Sequence, residues 1–383
     1  MKCRALKLLD FHYGSEWQEK VCDHWLYDDF LSHPDWRKGW ISIDSVLCDH
    51  EDNRVYLGIT SFDADIFRAY DRNNERFVDL GYRRIMNPFD AKFHRALVKH
   101  PANGRVYGAV AILHDLDKQW EAPGGAIIEY DPKSGAIKRL ATPLPHVYIQ
   151  SIALDAKRDI IYCQCFPPEY LISYNLKTGH VHNFGLVGAG YGAMGQGENI
   201  ALDDDNNLWG AWSLTRAWQS SAGIDAHRLF RVPAGGDKIE FLQAGLPRAD
   251  GAYGFEKTEG FFNLGDRFMY ASGGNGSLYR IDRQSGRADY LFTPISGRRS
   301  RLSSLTVGLD GCAYGVTGRE GQCELLRFDF RNSKYQLLGA VKDGKTGEPC
   351  WQIHDVTFSR DGVLYAGEND NPGRSGYLWE ITL

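Results

Sequence analysis

The stretch LDGCAYGVTG at residues 309–318 decides the fold, because its pattern returns along the whole chain. It combines an acidic or glycine-containing turn, apolar residues around an aromatic, and then small residues. RDGVLYAGEN (360–369), DNRVYLGITS (52–61) and NGRVYGAVAI (103–112) follow it closely. The recurring aromatic residues are Tyr56, Tyr107, Tyr162, Trp209, Tyr270, Tyr314 and Tyr365. Such periodic self-similarity indicates a chain built from one repeated supersecondary unit.

A second pattern follows each of these aromatic residues. It consists of an apolar-aromatic-Asp run, a turn and another apolar segment, as in IIEYDPKSGAIKRLA (127–141) and SLYRIDRQSGRADYLF (277–292). Each repeat therefore predicts four short strands, labelled A to D, joined by hairpin turns, with the aromatic in strand B. Four-stranded units at this spacing are typical of propeller blades. The sequence predicts an all-β chain, 1–383, that forms a single seven-bladed β-propeller domain.

The two ends of the chain are expected to share the last blade. The last repeat stops at YLWEITL (377–383), which is a C strand, so its D strand is missing. ALKLLDF (5–11) resembles the D strands of other repeats. We expect the N-terminal segment to complete the seventh blade and close the ring, which would remove an open sheet edge.

Composition and charge narrow the classes of partner. The net charge of -5 and the pI near 6.2 argue against a nucleic-acid partner. No run of 18 apolar residues is present, which argues against a membrane span. The first residues have neither the apolar segment nor the cleavage site of a secretory leader. The expectation is a cytoplasmic monomer, although a periplasmic or secreted protein whose leader had been removed would read the same.

Strand A lines the channel of a propeller, so the first residues of each strand A decide the chemistry of the channel mouth. The long, polar B-to-C connections, such as HDLDKQWEAPGG (114–125), place function on their face. The residues that begin strand A are Ser42, His94, Tyr148, Gln196, Lys257, Arg301 and Gln352. Two residues further on, pointing the same way, are Asp44, Ala96, Gln150, Glu198, Glu259, Ser303 and His354.

This polar ring favours a ligand site over a solvated channel mouth. The ends of strands B add His114, Arg216, Asn275, Arg319 and Asp370 on the same face. We expect substrate to be bound by Gln150, Gln196, Glu198, Lys257, Asn275, Arg301, Arg319, Gln352 and Asp370.

Two histidines form the strongest local group of candidate catalytic residues. His94 and His114 end neighbouring strands of the second repeat on one face, so their rings are expected to converge. Imidazoles titrate near neutral pH and suit proton transfer. The alternative is that one of them hydrogen-bonds a loop and only the other acts.

An arginine and two tyrosines complete the catalytic candidates. Arg216, flanked by tryptophans in TRAWQSS (215–221), suits a carboxylate clamp; the alternative is an arginine that braces a loop. Tyr148 and Tyr191, the latter in GAGYGAMGQG (188–197), are candidate phenol acids, although a structural role is the commoner fate of tyrosine.

Segments along essentially the whole chain, together with the paired histidines, resemble the seven-bladed polysaccharide lyases. This group includes ulvan lyases and the L-rhamnose-α-1,4-D-glucuronate lyases that act on arabinogalactan side chains. The segments that carry the resemblance are PHVYIQSIALD (145–155), GQGENIALDDDNNLWG (195–210), TRAWQSS (215–221), RRSRLSSL (298–305), CWQIHDV (350–356) and ENDNPGRSGYLWEI (368–381).

The resemblance implies β-elimination in a uronic-acid-containing polysaccharide, at a rhamnosyl-(1→4)-glucuronate linkage. This reaction needs a neutralised carboxylate, a base at C5 and an acid at the C4 oxygen, and no cofactor. His94 and His114 match the family's histidine pair in spacing and placement. No tyrosine stands at the family's usual separation from an arginine, so the acting tyrosine, and the choice between Arg216 and Arg301, stay open.

Some members of the family hold a structural zinc ion. Cys323, Cys350 and His354 begin strands on the expected funnel side, so a site of two cysteines and one histidine is geometrically possible. The alternative is that the eight scattered cysteines, which include no CxxC pair, are buried reduced thiols.

Two other functions compete with the lyase. One is a non-catalytic sugar-binding or scaffold propeller, which would concentrate aromatics and charge on an outer rim. The other is a metal-dependent hydrolase or lactonase, which needs a carboxylate cage; Asp44, Glu198 and Glu259 alternate with Lys257 and Arg301 instead. The fold alone does not decide function. The titratable, partly basic ring of residues at the channel mouth favours the lyase.

Overall fold

A computed structural model describes residues 1–13, 32–189, 198–214, 227–297 and 300–383. It is all-β and divides into two compact units, Met1–Ile149 with Ala340–Leu383, and Gln150–Gly339. The described residues include a short α-helix, Pro34–Gly39, and 3₁₀ turns at Tyr82–Arg84 and Leu116–Lys118. The strands follow the A-to-D repeats that the sequence predicts.

The first unit contains repeats 1, 2 and 7, each an antiparallel sheet in the order A, B, C, D. A further pair of strands, Asp90–Lys92 with Ala111–Ile112, lies beside repeat 1. Repeat 1 has strands Ser42–Asp49, Arg54–Thr60, Phe67–Asp71 and Arg76–Asp79. Repeat 2 has Leu97–Lys99, Val106–Ala109, Ile127–Asp131 and Ala136–Ala141. Repeat 7 has Ile353–Phe358, Val363–Glu368, Leu378–Thr382 and Lys2–Leu6.

The second unit contains repeats 3 to 6, apart from Tyr148, Ile149 and Ala340, which belong to the first unit. Repeat 3 has Tyr148–Asp155, Ile160–Phe166, Glu169–Asn175 and Val181–Ala189. Repeat 4 has Ala201–Leu202, Leu208–Leu214, Arg228–Val232 and Glu240–Phe241, followed by a small hairpin of Leu246–Pro247 and Phe255–Glu256. Repeat 5 has Thr258–Phe262, Phe268–Gly273, Leu278–Asp282 and Ala288–Phe292. Repeat 6 has a divided strand A, Arg301–Leu302 and Thr306–Val307, then Ala313–Arg319, Gln322–Asp329 and Lys334–Ala340.

The recurring aromatic of strand B is buried in every repeat. In repeat 5 the Tyr270 hydroxyl donates to Asp266 Oδ2 at 2.8 Å, and Asp266 Oδ1 accepts the backbone N–H of Phe268 at 2.8 Å. Tyr314 and Asp310 make the same pair of bonds in repeat 6. One carboxylate therefore closes the A-to-B turn and fixes the aromatic, which explains why an acidic turn and an aromatic recur together in the sequence.

The N-terminal strand pairs with the last strand of the chain, as the sequence predicts. Lys2–Leu6 runs antiparallel to Leu378–Thr382, from Lys2↔Thr382 to Leu6↔Leu378. The strand covers residues 2–6, so the predicted bounds of 5–11 are wrong. Leu8 and Leu9 pack against the core of the first unit instead, and their apolar character therefore reports core packing rather than strand pairing.

In repeats 1, 5 and 7, strand A carries an irregularity at its second polar position. The residues concerned are Asp44, Glu259 and His354, and the register shifts fall between Ile43 and Ser45, between Thr258 and Gly260, and between Ile353 and Asp355. A β-bulge of this kind re-aims one side chain away from plain alternation. The bulges therefore set the direction of the polar side chains that the sequence analysis singled out.

Candidate functional site

The first unit holds a polar group that we call the histidine cluster: Ser42, Asp44, Lys92, His94 and His354. Asp44 is fully buried, accepts a hydrogen bond from the Thr60 hydroxyl and lies 3.2 Å from the Lys92 ammonium. A buried carboxylate is stable only when it is paired and hydrogen-bonded, and both conditions hold here. The Asp44 carboxylate and the Lys92 ammonium therefore form a buried ion pair within the cluster.

The orientation of His354 is set by the backbone of Asp44. His354 Nδ1 lies 2.8 Å from the Asp44 carbonyl oxygen. Because a carbonyl oxygen only accepts, Nδ1 is the nitrogen that donates in this contact. The His94 ring stands edge-on to His354, with centroids 4.4 Å apart at 65°. His354 is 1% exposed and His94 is 8% exposed, so a ligand reaches His94 more readily.

The rim of the histidine cluster is formed by the end of strand B in repeat 7. The backbone N–H of Asp370 donates to Ser42 Oγ at 3.0 Å, and its Oδ2 accepts from Asn369 Nδ2 at 3.0 Å. The Gln352 carbonyl accepts the Asn369 N–H. Asp370 is exposed whereas Gln352 is buried. Both predicted substrate-binding residues therefore lie beside the cluster, and Asp370 faces solvent.

His114 takes part in different contacts. Its Nδ1 lies 2.9 Å from the Asp115 carbonyl oxygen, and its ring is edge-on to Phe89 at 5.8 Å. The His94 ring contacts His354. From the sequence alone, His354 was expected to bind zinc and His94 to converge with His114. The aligned strand-A positions of Asp44 and His354 were the signal that pointed to the observed cluster.

The second unit holds a group that we call the arginine cluster: Glu198, Glu259, Arg301 and Ser303. Arg301 Nη2 donates to Glu198 Oε2 at 3.0 Å, and Nε donates to Glu259 Oε1 at 3.0 Å. The Ser303 hydroxyl donates to the same Glu259 oxygen at 3.0 Å. Two carboxylates already neutralise the Arg301 guanidinium, so a substrate carboxylate would have to displace one of them.

The other predicted residues of the second unit have local roles in its turns. Asn275 Oδ1 accepts the Ser277 N–H at 3.0 Å, and the Lys257 carbonyl accepts the Gly274 N–H at 2.8 Å. Arg319 is exposed and reaches the Ser296 carbonyl at 3.4 Å. Gln150 is buried in strand A of repeat 3. The contacts of Asn275, Lys257 and Arg319 thus close loops in this unit.

Three predicted residues, Tyr191, Gln196 and Arg216, lie outside the described residues. Tyr148 is described; it begins strand A of repeat 3 and is half-buried. Of the two candidate phenol acids, Tyr148 is therefore the one that lies among the described residues.

The proposed zinc ligands fall in both units. Cys323 belongs to the second unit, where its thiol lies 3.5 Å from the Arg319 carbonyl oxygen. Cys350 and His354 belong to the first, and Cys350 is fully buried. The described cysteines are free thiols, and burial raises the pKa of Cys48 to about 12. Six of the seven described cysteines are buried, and zinc stays a prediction.

A cavity of about 780 Å³ opens in the first unit among Arg4, Arg72, Tyr365 and Glu380. Two of its arginines are paired with carboxylates: Arg4 Nε lies 2.9 Å from Glu380, and Arg72 Nη2 lies 2.7 Å from Asp361. None of the predicted site residues lines it. We interpret it as a groove between sheets, because strands of repeats 1 and 7 supply most of its lining.

Comparisons with known proteins show the fold and nothing finer. No family model and no curated protein matches the chain. The extracellular domain of a protein described as a hybrid two-component system from B. thetaiotaomicron is similar, with a TM-score of 0.61 and 12% identity over 90% of this chain. The present chain spans only 38% of that one. A protein of unknown function from Bacteroides thetaiotaomicron VPI-5482 gives a TM-score of 0.49 at 14% identity, over 90% of this chain and 70% of that one. None of the described helices is long and apolar enough to cross a membrane.

Proposed function

We propose that the protein is a polysaccharide lyase that cleaves a rhamnosyl-(1→4)-glucuronate linkage by β-elimination. The observation that carries the proposal is the histidine cluster, in which the imidazole of His94, just before strand A of repeat 2, meets that of His354 in strand A of repeat 7. The proposal also rests on the family resemblance of the sequence. We infer a uronic-acid-containing oligosaccharide or polysaccharide as the substrate, with no cofactor needed for the chemistry.

The proposed architecture is a seven-bladed β-propeller with each repeat as one blade. Seven repeats of four antiparallel strands support it, as does the N-terminal strand that completes repeat 7. Within each unit, neighbouring strands A bond to one another: Asp355 Oδ2 accepts the Val46 N–H at 2.9 Å, and Asn199 Oδ1 accepts the Phe261 N–H at 2.6 Å. Contact through strand A is what a radial arrangement of blades requires.

The proposed β-elimination needs two proton-transfer groups of the protein, a base and an acid. A base removes the C5 proton, the electron pair forms the C4=C5 double bond, the C4–O bond breaks, and an acid protonates the leaving oxygen. His94 is the proposed proton-transfer group, because it is the more exposed imidazole of the pair. His354 is a positioning residue that holds the His94 ring. Tyr148 or His114 is the proposed partner in proton transfer.

The substrate carboxylate needs a cation so that the C5 proton becomes acidic. Arg301 is engaged by Glu198 and Glu259. Arg216 is therefore the preferred clamp in this proposal, and Lys257 is the next candidate. A Lys in place of Arg216 would not restore a bidentate clamp, because an ammonium lacks the planar fork of a guanidinium.

The first prediction concerns activity and His94. Wild-type protein is expected to form 4,5-unsaturated uronate from rhamnose-capped glucuronate or arabinogalactan oligosaccharides, detected by ultraviolet absorbance and mass spectrometry; ulvan is assayed separately. His94→Ala is expected to lower kcat by about 10²–10⁴-fold, the usual contribution of a general acid or base.

The matched control is His180→Ala, which removes an exposed histidine from the C-to-D turn of repeat 3. It is expected to keep full activity. The proposal fails if wild-type protein forms no unsaturated product from any of these saccharides, or if His94→Ala turns over at the wild-type rate.

A further inference from the structure

The B-to-C connection of repeat 2 presents an indole to solvent. Trp120 is 78% exposed, although the hydrophobic effect favours burial of so large an apolar surface. Its loop neighbours Lys118, Gln119 and Glu121 are polar. The exposed indole therefore stands among polar residues of its own loop.

The loop that carries Trp120 is fastened to the connection between repeats 2 and 3. Gln119 Nε2 donates to the His146 carbonyl, and His146 Nδ1 lies 2.8 Å from the Ala122 carbonyl oxygen. The Gly125 N–H donates to the Val147 carbonyl at 2.8 Å. These bonds hold both sides of Trp120, so the exposure of the indole belongs to an anchored loop.

Two glycines make this attachment close. Gly124 has φ +108, and a Cβ there would lie 2.2 Å from the Leu144 carbonyl oxygen. A Cβ at Gly125 would lie 2.4 Å from the Val110 carbonyl oxygen. Both positions therefore require glycine, and the glycines let the loop lie directly on its neighbour.

His146 supports the indole. Its ring is edge-on to Trp120, with centroids 5.4 Å apart at 77°. The backbone of His146 has φ +63, so the residue is held in a left-handed conformation two positions before Tyr148. The connection that supports the indole thus leads directly into strand A of repeat 3. The first residue of that strand is Tyr148, a proposed partner in proton transfer.

We propose that Trp120, backed by His146, is a stacking platform for a pyranose ring of a saccharide ligand. One face of a pyranose is made of C–H groups, which complement the negative face of an aromatic ring, while its hydroxyls suit polar neighbours such as Lys118 and Glu121. A single anchored indole matches the size of one sugar ring. The assignment to the polymer cleaved rests on the proposed function; the platform itself rests on the loop geometry.

The test measures binding and turnover separately. Calorimetric titration uses an oligosaccharide of alternating rhamnose and glucuronate, with wild type, Trp120→Ala, Trp120→Phe and, as a control, Leu309→Ala, which removes another apolar side chain that is 75% exposed. Trp120→Ala is expected to weaken binding about tenfold, the scale of one aromatic stacking contact, and Trp120→Phe less. The melting temperature should not change, because the indole is exposed. In turnover, KM should rise and kcat should stay near the wild-type value.

The possible outcomes separate the platform from the lyase. Unchanged affinity in Trp120→Ala, an equal loss in Leu309→Ala, or no binding by wild type overturns the platform. If binding depends on Trp120 but wild type forms no unsaturated product, the lyase fails and the platform stands. If turnover is normal and binding is independent of Trp120, the platform fails and the lyase stands.

Discussion

Asp44 shows how one residue serves the histidine cluster in two ways. Its side chain is fully buried and binds the Lys92 ammonium and the Thr60 hydroxyl, while its carbonyl oxygen accepts from His354 Nδ1. The alignment of repeats predicted a polar residue here. It could not predict the ion pair, because Lys92 lies in a strand outside the four-strand repeat.

Removal of the Asp44 charge provides the second prediction. Asp44→Asn removes the buried carboxylate that lies 3.2 Å from the mostly buried Lys92 ammonium, and breaking such a pair from one side is strongly destabilising. The free energy of unfolding is expected to fall by about 3–5 kcal/mol, measured by urea denaturation. Lys92→Met added to Asp44→Asn should recover part of the loss, because the ammonium that faced Asp44 is then gone. Additive losses in the double variant would contradict this coupling.

At the scale of the secondary-structure element, the repeat could be predicted because the residues that define it lie close together in the sequence. An acidic residue and an aromatic four positions later, as in Asp266 and Tyr270 or Asp310 and Tyr314, bond to each other across one hairpin turn. A local bond leaves a local pattern in the sequence. The bulges at Asp44, Glu259 and His354 leave none, since a bulge depends on which residue of the partner strand lies opposite.

The site follows the same rule. His94 and His354 come from repeats at opposite ends of the chain sequence, and only the packing of repeats 7, 1 and 2 in the first unit brings their rings together. The sequence analysis therefore placed both histidines in the polar ring but did not predict that their rings meet. Similarly, the pairing of Arg301 with Glu198 and Glu259 depends on tertiary packing, and the alternation of charges in the aligned positions only hinted at it.

The third prediction tests the turn device of repeat 5. Tyr270→Phe removes the hydrogen bond to Asp266 and is expected to lower the free energy of unfolding by about 1 kcal/mol, the usual net value of one such bond. Tyr162→Phe is the matched control: Tyr162 occupies the same position in repeat 3 and is equally buried. Within the described part of the chain its hydroxyl has no hydrogen-bond partner, so its loss should be smaller. Equal denaturation midpoints for the two variants would show that the bond contributes nothing.

At the scale of the whole chain, the beginning and the end are joined through several kinds of contact. The strand Lys2–Leu6 pairs with Leu378–Thr382 on one side. On its other side the Cys3 carbonyl accepts the Gly344 N–H at 3.0 Å, and Asp343 Oδ2 accepts the Ala5 N–H at 3.0 Å. The turn at 343–344 therefore covers part of an edge that would otherwise expose unpaired backbone groups.

Asp343 makes this junction sensitive to acid. Burial alone would raise the pKa of its carboxyl, but N–H donors from Ala5, Thr346 and Lys345 and the Thr346 hydroxyl outweigh burial and lower the pKa to about 2. In the unfolded chain the ordinary value of 3.8 applies. The folded state therefore binds this proton less readily than the unfolded state, so the carboxylate stabilises the fold above pH 3.8, and the stabilisation is lost as the pH falls towards 2.

The fourth prediction follows from that sign. Asp343→Asn is expected to lower the free energy of unfolding at pH 7 by about 1–2 kcal/mol, on the scale that the pKa shift implies. The difference from wild type should shrink as the pH falls from about 4 to about 2, because the wild-type carboxylate is then protonated and the N–H donors lose their charged acceptor. Asp237→Asn, which removes an exposed carboxylate of equal charge, should match wild type at every pH. Denaturation curves recorded across this pH range test the prediction. A loss of stability in Asp343→Asn that does not change with pH would mean that the amide disturbs the turn sterically. The charge of Asp343 would then not be what holds the N-terminal strand.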